Sequence, residues 1–427
     1  MEEKLQDLMS RGVALMAAGN YENAKELFDQ VIKENPKILE AYMSKGDACA
    51  NLELYDEAID CFKKALMVDS SFALAYFSIG SIYVLKEDNL KALQFFNKAA
   101  EAGYESAEMY LLMSTIFWNA DDEIQAMRYL NRAIKLSPLD GSLRLSKVRM
   151  YLNANKFDMA LEALDEMEAI LPDAYEVYDL KAQIYMGMQK YSEAEAIISK
   201  GCTKFPEDAN LAAIKLKVLV SIDKDEDAIQ QLNLMKRKGL YELVIKDASL
   251  QEATLFLKKE KVEEATAVLV NANEKLGYDA DIVYILMDIY GKTGKYEELL
   301  TWSDKMIANS NNDLYFVTAL FFHATALKEL ARTEESQKEF KAITEKVRKM
   351  TIEDPGFYEG YLFRLLAHID LSEFDEALDL ADYVENLYPD RADAHAFRYQ
   401  VYTKMGKLED AEREKARARE IDPAFYI

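Results

Sequence analysis

Residues 73–106 read ALAYFSIGSIYVLKEDNLKALQFFNKAAEAGYES. Tyr76, Gly80 and Tyr83 recur three and four positions apart in the first half, and Ala92, Phe96 and Ala99 do so in the second. That spacing puts each set on one face of a helix. Small residues at Gly80 and Ala92 let two antiparallel backbones approach closely, whereas large ones would pry the pair apart. Two helices per 34 residues follow.

The same reading extends in both directions. Ala24, Ala58, Ala92, Ala126, Ala160, Ala194 and Ala228 each follow the last by 34 residues, and four positions after each stands Phe28, Phe62, Phe96, Leu130, Leu164, Ile198 or Leu232. Pro36, Pro138, Pro172 and Pro206 keep the same period, as do Pro389 and Pro423. Proline lacks the amide hydrogen and keeps its predecessor out of the α region, so it separates one helix from the next. Turns such as Gly19-Asn20, Gly294-Lys295 and Gly406-Lys407 end the first helix of a pair and reverse the chain. Beyond residue 242 the register requires insertions at 243–245, 314–316 and 351–357, after which Ala265, Leu299, Ser336, Ala377 and Ala411 fill the alanine position. Twelve units of 34, with 4 leading, 13 inserted and 2 trailing residues, account for all 427.

The order of aromatic, glycine, aromatic, alanine, large apolar residue, alanine and proline resembles the tetratricopeptide repeat family. Tyr42, Gly46, Cys49, Ala58, Phe62 and Ala65 carry it in the second unit. The resemblance implies an all-α, right-handed superhelical solenoid of antiparallel helix pairs, acting as a non-enzymatic scaffold that binds a protein or peptide. Along the chain we expect a seven-unit array over 1–242 and divergent units over 243–350, where Met287, Leu299, Met306 and Ser336 replace small residues and Glu334 to Met350 reads as an overlong helix. A two-unit array over 351–427 follows, ending in a charged helix that reads as a solvated cap, with Lys415 where other units have Phe or Leu. A hinge or change of pitch is expected near 314–357.

Composition narrows the function. Half of the residues are hydrophobic and the net charge is −24, which suits a packed core and disfavours nucleic acid or an anionic membrane surface as the main partner. No run approaches the roughly 18 apolar residues of a membrane span, the start has no apolar signal core, and three cysteines fit a reducing, cytoplasmic setting. Cys49 and Cys61 could form half of a metal site, but nothing completes it, and buried thiols are the expected role. His323, His368 and His395 fall on packing positions without a nucleophile, so no catalysis and no cofactor are expected.

Candidate contact residues lie between the packing positions of the first helices, which line the concave wall in such a stack. One row is Met9, Met43, Phe77, Leu111 and Leu145; a second is Met16, Ala50, Val84, Trp118, Leu152 and Met186. These rows read either as an apolar groove for a peptide or as residues buried between neighbouring first helices. Asp47, Thr115, Asn119, Arg149, Asn153, Gln183, Lys217 and Lys258 offer polar contacts on the same wall. The lysines and asparagines with which related repeats clamp a carboxylate are replaced by Met9, Val13, Met43, Asp47, Phe77 and Ser81, so acidic chaperone tails are disfavoured. Lys45, Lys147, Lys181 and Lys215 recur at one position, where snorkelling along the stack is expected. Two alternatives stand beside the peptide scaffold: self-association through the apolar rows and Phe425-Tyr426-Ile427, and regulation of a separately encoded enzyme.

Overall fold

A computed structural model describes residues 2–310 and 313–422, and among these it holds 25 helices and no strand. The chain forms two compact bodies, Met1–Lys190 and Tyr191–Ile427. Each is an all-α solenoid in which consecutive helices pack in antiparallel pairs. The division falls inside the sixth repeat, between its helices Glu176–Gly187 and Tyr191–Lys204. Phe425-Tyr426-Ile427 lies outside the described residues.

The turn within each pair counts the repeats independently of side-chain pattern. A left-handed residue with φ between 54° and 74° ends every first helix: Gly19, Glu53, Glu87, Asp121, Asn155, Gln189, Asp223, Glu260, Gly294, Ala331, Ser372 and Gly406. Their spacing is 34 except for the steps to 260, 331 and 372, which are longer by three, three and seven residues, matching the three insertions. Each such turn is closed by the amide of the residue just before the second helix, as when Asp88 N–H donates to Tyr83 O at 2.9 Å. Carboxylates here also cap the helix that follows: Asp122 accepts from the Gln125 amide at 3.0 Å.

Close approach within a pair rests on matched volumes. A Cβ built on Gly12, Gly46 or Gly80 would stand 2.5, 2.4 or 2.6 Å from the ring of Phe28, Phe62 or Phe96. The glycine is therefore the hole into which the aromatic ring fits. Further along the chain the same two positions exchange sizes: Met287 goes with Ser303 and Leu365 with Ala381, all but Ala381 fully buried and Ala381 nearly so. The large residues of repeat nine are thus core, and Ser336 of repeat ten donates to Ala324 O at 2.8 Å, as Ser114 does to Ala126 O at 2.7 Å. In the last repeat the positions hold Tyr399 and Lys415, whose ammonium lies 5.3 Å from the ring centre.

The insertions extend helices instead of loosening loops. Residues near 243 form a one-turn helix, Leu240–Leu243. The first helix of repeat ten runs Asp313–Glu329, and its second runs Thr333–Glu353 over 21 residues, longer than the 334–350 expected from sequence. The final helix, Leu408–Ile421, is not solvated all round: Ala411, Glu414 and Ala418 are buried, and Glu414 accepts from Arg398 and pairs with His395 at 2.7 Å. Ion pairs between the starts of the second helices of neighbouring repeats, such as Lys25–Glu57 and Lys224–Glu195, decorate the surface and contribute roughly 0–1 kcal/mol each.

Candidate functional site

A large apolar hollow lies in the second body, on the first helices of its last four repeats: Ala280–Lys292, Asp313–Glu329, Tyr358–Asp370 and Asp393–Lys404. It measures about 770 Å³ and is lined by Tyr284, Ile285, Leu314, Tyr315, Thr318, Phe321, Phe322, Leu362, Phe363, Leu366 and Phe397, with Asp281 and Glu359. Tyr284, Phe321 and Leu362 occupy the position of their repeats that Met9, Met43, Phe77, Leu111 and Leu145 occupy in the first body. One residue later come Ile285, Phe322, Phe363 and Phe397, where the first body has Ser10, Ser44, Ser78, Leu112 and Ser146. Leu314 and Tyr315 come from the insertion at 314–316, which adds a turn to the front of the helix of repeat ten.

The rings form a continuous wall. Phe321 lies 5.6 Å from both Phe340 and Phe363, and Tyr284 meets Phe322 edge-on at 6.4 Å. Tyr284 and Leu314 are exposed, whereas Phe321, Phe322, Leu362 and Phe363 are half-buried, each giving one side to the core and one to the hollow. At one end Asp281 accepts from Lys246 at 2.6 Å and from the Tyr315 hydroxyl, and these donors hold its carboxyl below the usual carboxylate range. The same contact raises the Tyr315 phenol. Glu359 is exposed at the other rim. Such a hollow can hold large apolar side chains by burial alone and offers carboxylates, not cations, to whatever enters.

In the first body the candidate residues are placed differently. Met43 and Phe77 are buried, with Phe77 stacked on Tyr104 at 4.8 Å and 5.9 Å from Phe96. Met9, Val84, Leu111, Trp118, Leu145, Leu152 and Met186 are half-buried, and Arg149 is exposed. Trp118 borders a cavity of about 190 Å³ with Met127, Met150 and Met159, at the turn end of repeats four and five. The row expected from sequence ends before the divergent repeats and so does not include Tyr284, Phe321 and Leu362, which hold the same position there. Counting the row through the insertions would have found them.

The interior histidines and the two buried cysteines have partners. His323 pairs with Glu339 at 2.6 Å, which raises its pKa, and His368 bonds Glu373 at 2.8 Å. The Cys49 and Cys61 thiols are both buried and hydrogen-bonded to each other; that bond and the nearby Lys25 and Lys45 ammonium groups lower Cys49. Among the described residues, no three metal-ligating side chains cluster and no helix is long and apolar enough to cross a membrane.

Stacked helix pairs of this length, each with a left-handed turn, define an all-α repeat protein. Residues 9–71 and 53–107 match one tetratricopeptide repeat model and residues 107–138 match another. Residues 9–138 are thus tetratricopeptide repeats, the described helix pairs that follow keep the same turn, and such a fold in general supports a protein-interaction scaffold. No curated protein matches it. Among solved structures it is similar to YrrB, described as a tetratricopeptide repeat protein with an unusual peptide-binding site, at 25% identity over 42% of this chain and 92% of that one, with a TM-score of 0.34. It is also similar to a tetratricopeptide repeat protein of Parabacteroides merdae, at 17% identity over 58% of this chain and 97% of that one (TM-score 0.37). A third is MamA of Desulfovibrio magneticus RS-1, at 17% identity over 40% of this chain and 97% of that one (TM-score 0.36).

Proposed function

We propose that this protein is a non-enzymatic, cytoplasmic scaffold that holds a segment of a partner protein in the groove lined by Tyr284, Phe321, Phe322, Leu362 and Phe363. The observation that carries this reading is an apolar hollow of about 770 Å³ whose wall is built by first helices of successive repeats. Carboxylates at its ends and a net charge of −24 favour a segment that combines aromatic or branched apolar anchors with a basic residue. The chain itself contributes recognition and no chemistry. The half-buried row of the first body, with Trp118 at its cavity, is a second contact surface in this reading; Met43 and Phe77 serve there as support beneath it.

Selection of a random peptide library on the full chain tests the proposal. Enriched peptides should carry two or more large apolar residues and a Lys or Arg, and Tyr284→Glu with Leu362→Glu should weaken them tenfold or more. Selected peptides that bind this variant as well as the parent would remove the groove from consideration. Light scattering adds a check on self-association: a stable dimer whose interface masks the groove would favour the structural alternative.

A further inference from the structure

The seventh position of the first helix carries a cation in most repeats, and its partner recurs too. Lys45 pairs with Asp29 at 2.6 Å, Lys181 with Asp165 at 2.6 Å and Glu168 at 2.7 Å, and Arg398 with Asp382 at 2.6 Å and with Glu385. In each case the first acid stands sixteen residues back, on the second helix of the preceding repeat, and for Lys181 and Arg398 a second acid stands three residues later. His323 keeps the pattern with Asp304 across the three-residue insertion. Lys147, with Asn131 sixteen residues back, turns to Glu166 instead. Lys215, with Ser199 there, extends a flexible ammonium into a cavity that Glu195 and Asp227 also line.

Arg364 breaks the rule. Sixteen residues back stands Arg348, and three further on stands Thr351, because the insertion at 351–357 lengthens the helix Thr333–Glu353 and brings a different stretch opposite. Neither arginine has a carboxylate within ion-pair distance among the described residues, and Nε of Arg364 is buried without a hydrogen-bond partner. Burial, and then the charge of Arg348, pull Arg364 below the usual arginine pKa. A cation that other repeats neutralise from within is here left facing a second cation, an arrangement that costs stability.

Both guanidinium groups line an open cleft of about 750 Å³ between the helices Thr333–Glu353, Tyr358–Asp370 and Phe374–Leu387. Its walls include the rings of Tyr361 and Tyr383, 5.8 Å apart, together with Ile352 and Leu380. Glu376 and Asp379 also border the cleft, but both are exposed and neither reaches the arginines. The planar forks suit an oxyanion bidentately, and two adjacent cations favour a dianion over a monoanion. The volume is that of a small organic ligand and exceeds a bare ion.

We propose that this cleft binds a small phosphate monoester, its phosphoryl group held between Arg348 and Arg364 and its aromatic or apolar body against Tyr361, Tyr383 and Ile352. The site is separate from the peptide groove.

Calorimetric titration of the full chain at constant ionic strength, with phenyl phosphate, inorganic phosphate and benzoate as probes, tests it. Phenyl phosphate should saturate one site and bind about tenfold more tightly than either of the others, and Arg348→Gln or Arg364→Met should each weaken it tenfold or more. Arg364→Met should also raise the melting temperature of the ligand-free chain, since it removes a half-buried charge that no carboxylate balances. No saturable binding, or binding unchanged in both variants, would overturn the proposal. Benzoate binding as tightly as phenyl phosphate would exclude the dianion, and inorganic phosphate doing so would exclude the apolar body. A lower melting temperature for Arg364→Met would show that Arg364 already has an internal partner.

Discussion

The first helices of repeats three to five and those of repeats nine to eleven carry large apolar residues at the same position, yet use them differently. Around Ala73–Leu85 the aromatic side chains turn inward: Phe77 stacks on Tyr104, and Phe96 fills the space above Gly80. The neighbouring position is Ser78 in repeat three and Ser146 in repeat five, with a large residue, Leu112, in repeat four alone, so less apolar surface remains on that face. Around Asp313–Glu329 the neighbour is Phe322, with Ile285 and Phe363 in the adjacent repeats. Two consecutive large residues cannot both be enclosed by one helix interface, and both members of each pair keep part of their surface on the hollow. A repeat leaves an apolar hollow, then, through the residue beside the packing position.

The difference in interior packing gives the largest expected effect. Gly80→Leu should destabilise the chain by about 3 kcal/mol in urea denaturation, since the new side chain meets the Phe96 ring at once. Adding Phe96→Ala should recover part of that loss, because Leu365 with Ala381 shows the exchanged pair is accommodated in repeat eleven. A double variant no better than the single one would mean that the two ends of the chain follow different packing rules.

Next in size is the contrast between the two faces. Peptides selected on the groove should lose tenfold or more with Tyr284→Glu and Leu362→Glu and less than twofold with Trp118→Asp. Equal losses would place contact along the first body as well.

A smaller, pH-dependent effect separates the bodies. The folded pKa of His323 is raised above 6.5 by Glu339, with burial opposing, so its pairing stabilises fully below about pH 6.5 and is lost as pH rises through the folded value. The stability difference between the parent and His323→Gln should therefore shrink from pH 6 to pH 8.5, measured by urea midpoints. A constant difference would show that the contact matters for packing and not for charge.

The smallest effect lies in the turns. Ala331 has a φ of 58° where Gly19, Gly294 and Gly406 stand in other repeats, and Ala331→Gly should gain at most about 1 kcal/mol after the entropy cost of a glycine in the unfolded chain. A loss of stability would imply that the methyl group packs usefully.

Much of the fold was legible because it is local. A 34-residue period, glycine opposite phenylalanine and the three insertion lengths are properties of neighbouring residues, and the left-handed turns from Gly19 to Gly406 fall where that register puts them. Lys415, which looked out of place in sequence, meets Tyr399, a partner that only the paired helices reveal. The candidate row was less legible. Periodicity states which way Phe77 and Tyr284 point from their helices, but Phe77 is covered by Tyr104 from the end of its own repeat, whereas Tyr284 stays exposed.

By itself the sequence determined the helix pairs, their number and the hole-and-ring packing inside each, since these follow from spacing within about forty residues. Tertiary structure alone decided which apolar residues remain open and which cations lack an acid. Arg364 faces Arg348 because a seven-residue insertion moved two helical turns of a neighbouring helix past it, and Phe321 and Phe322 line a hollow because no neighbouring helix covers either completely. Both outcomes depend on what a neighbouring helix presents at that level of the stack, which no period along one chain specifies.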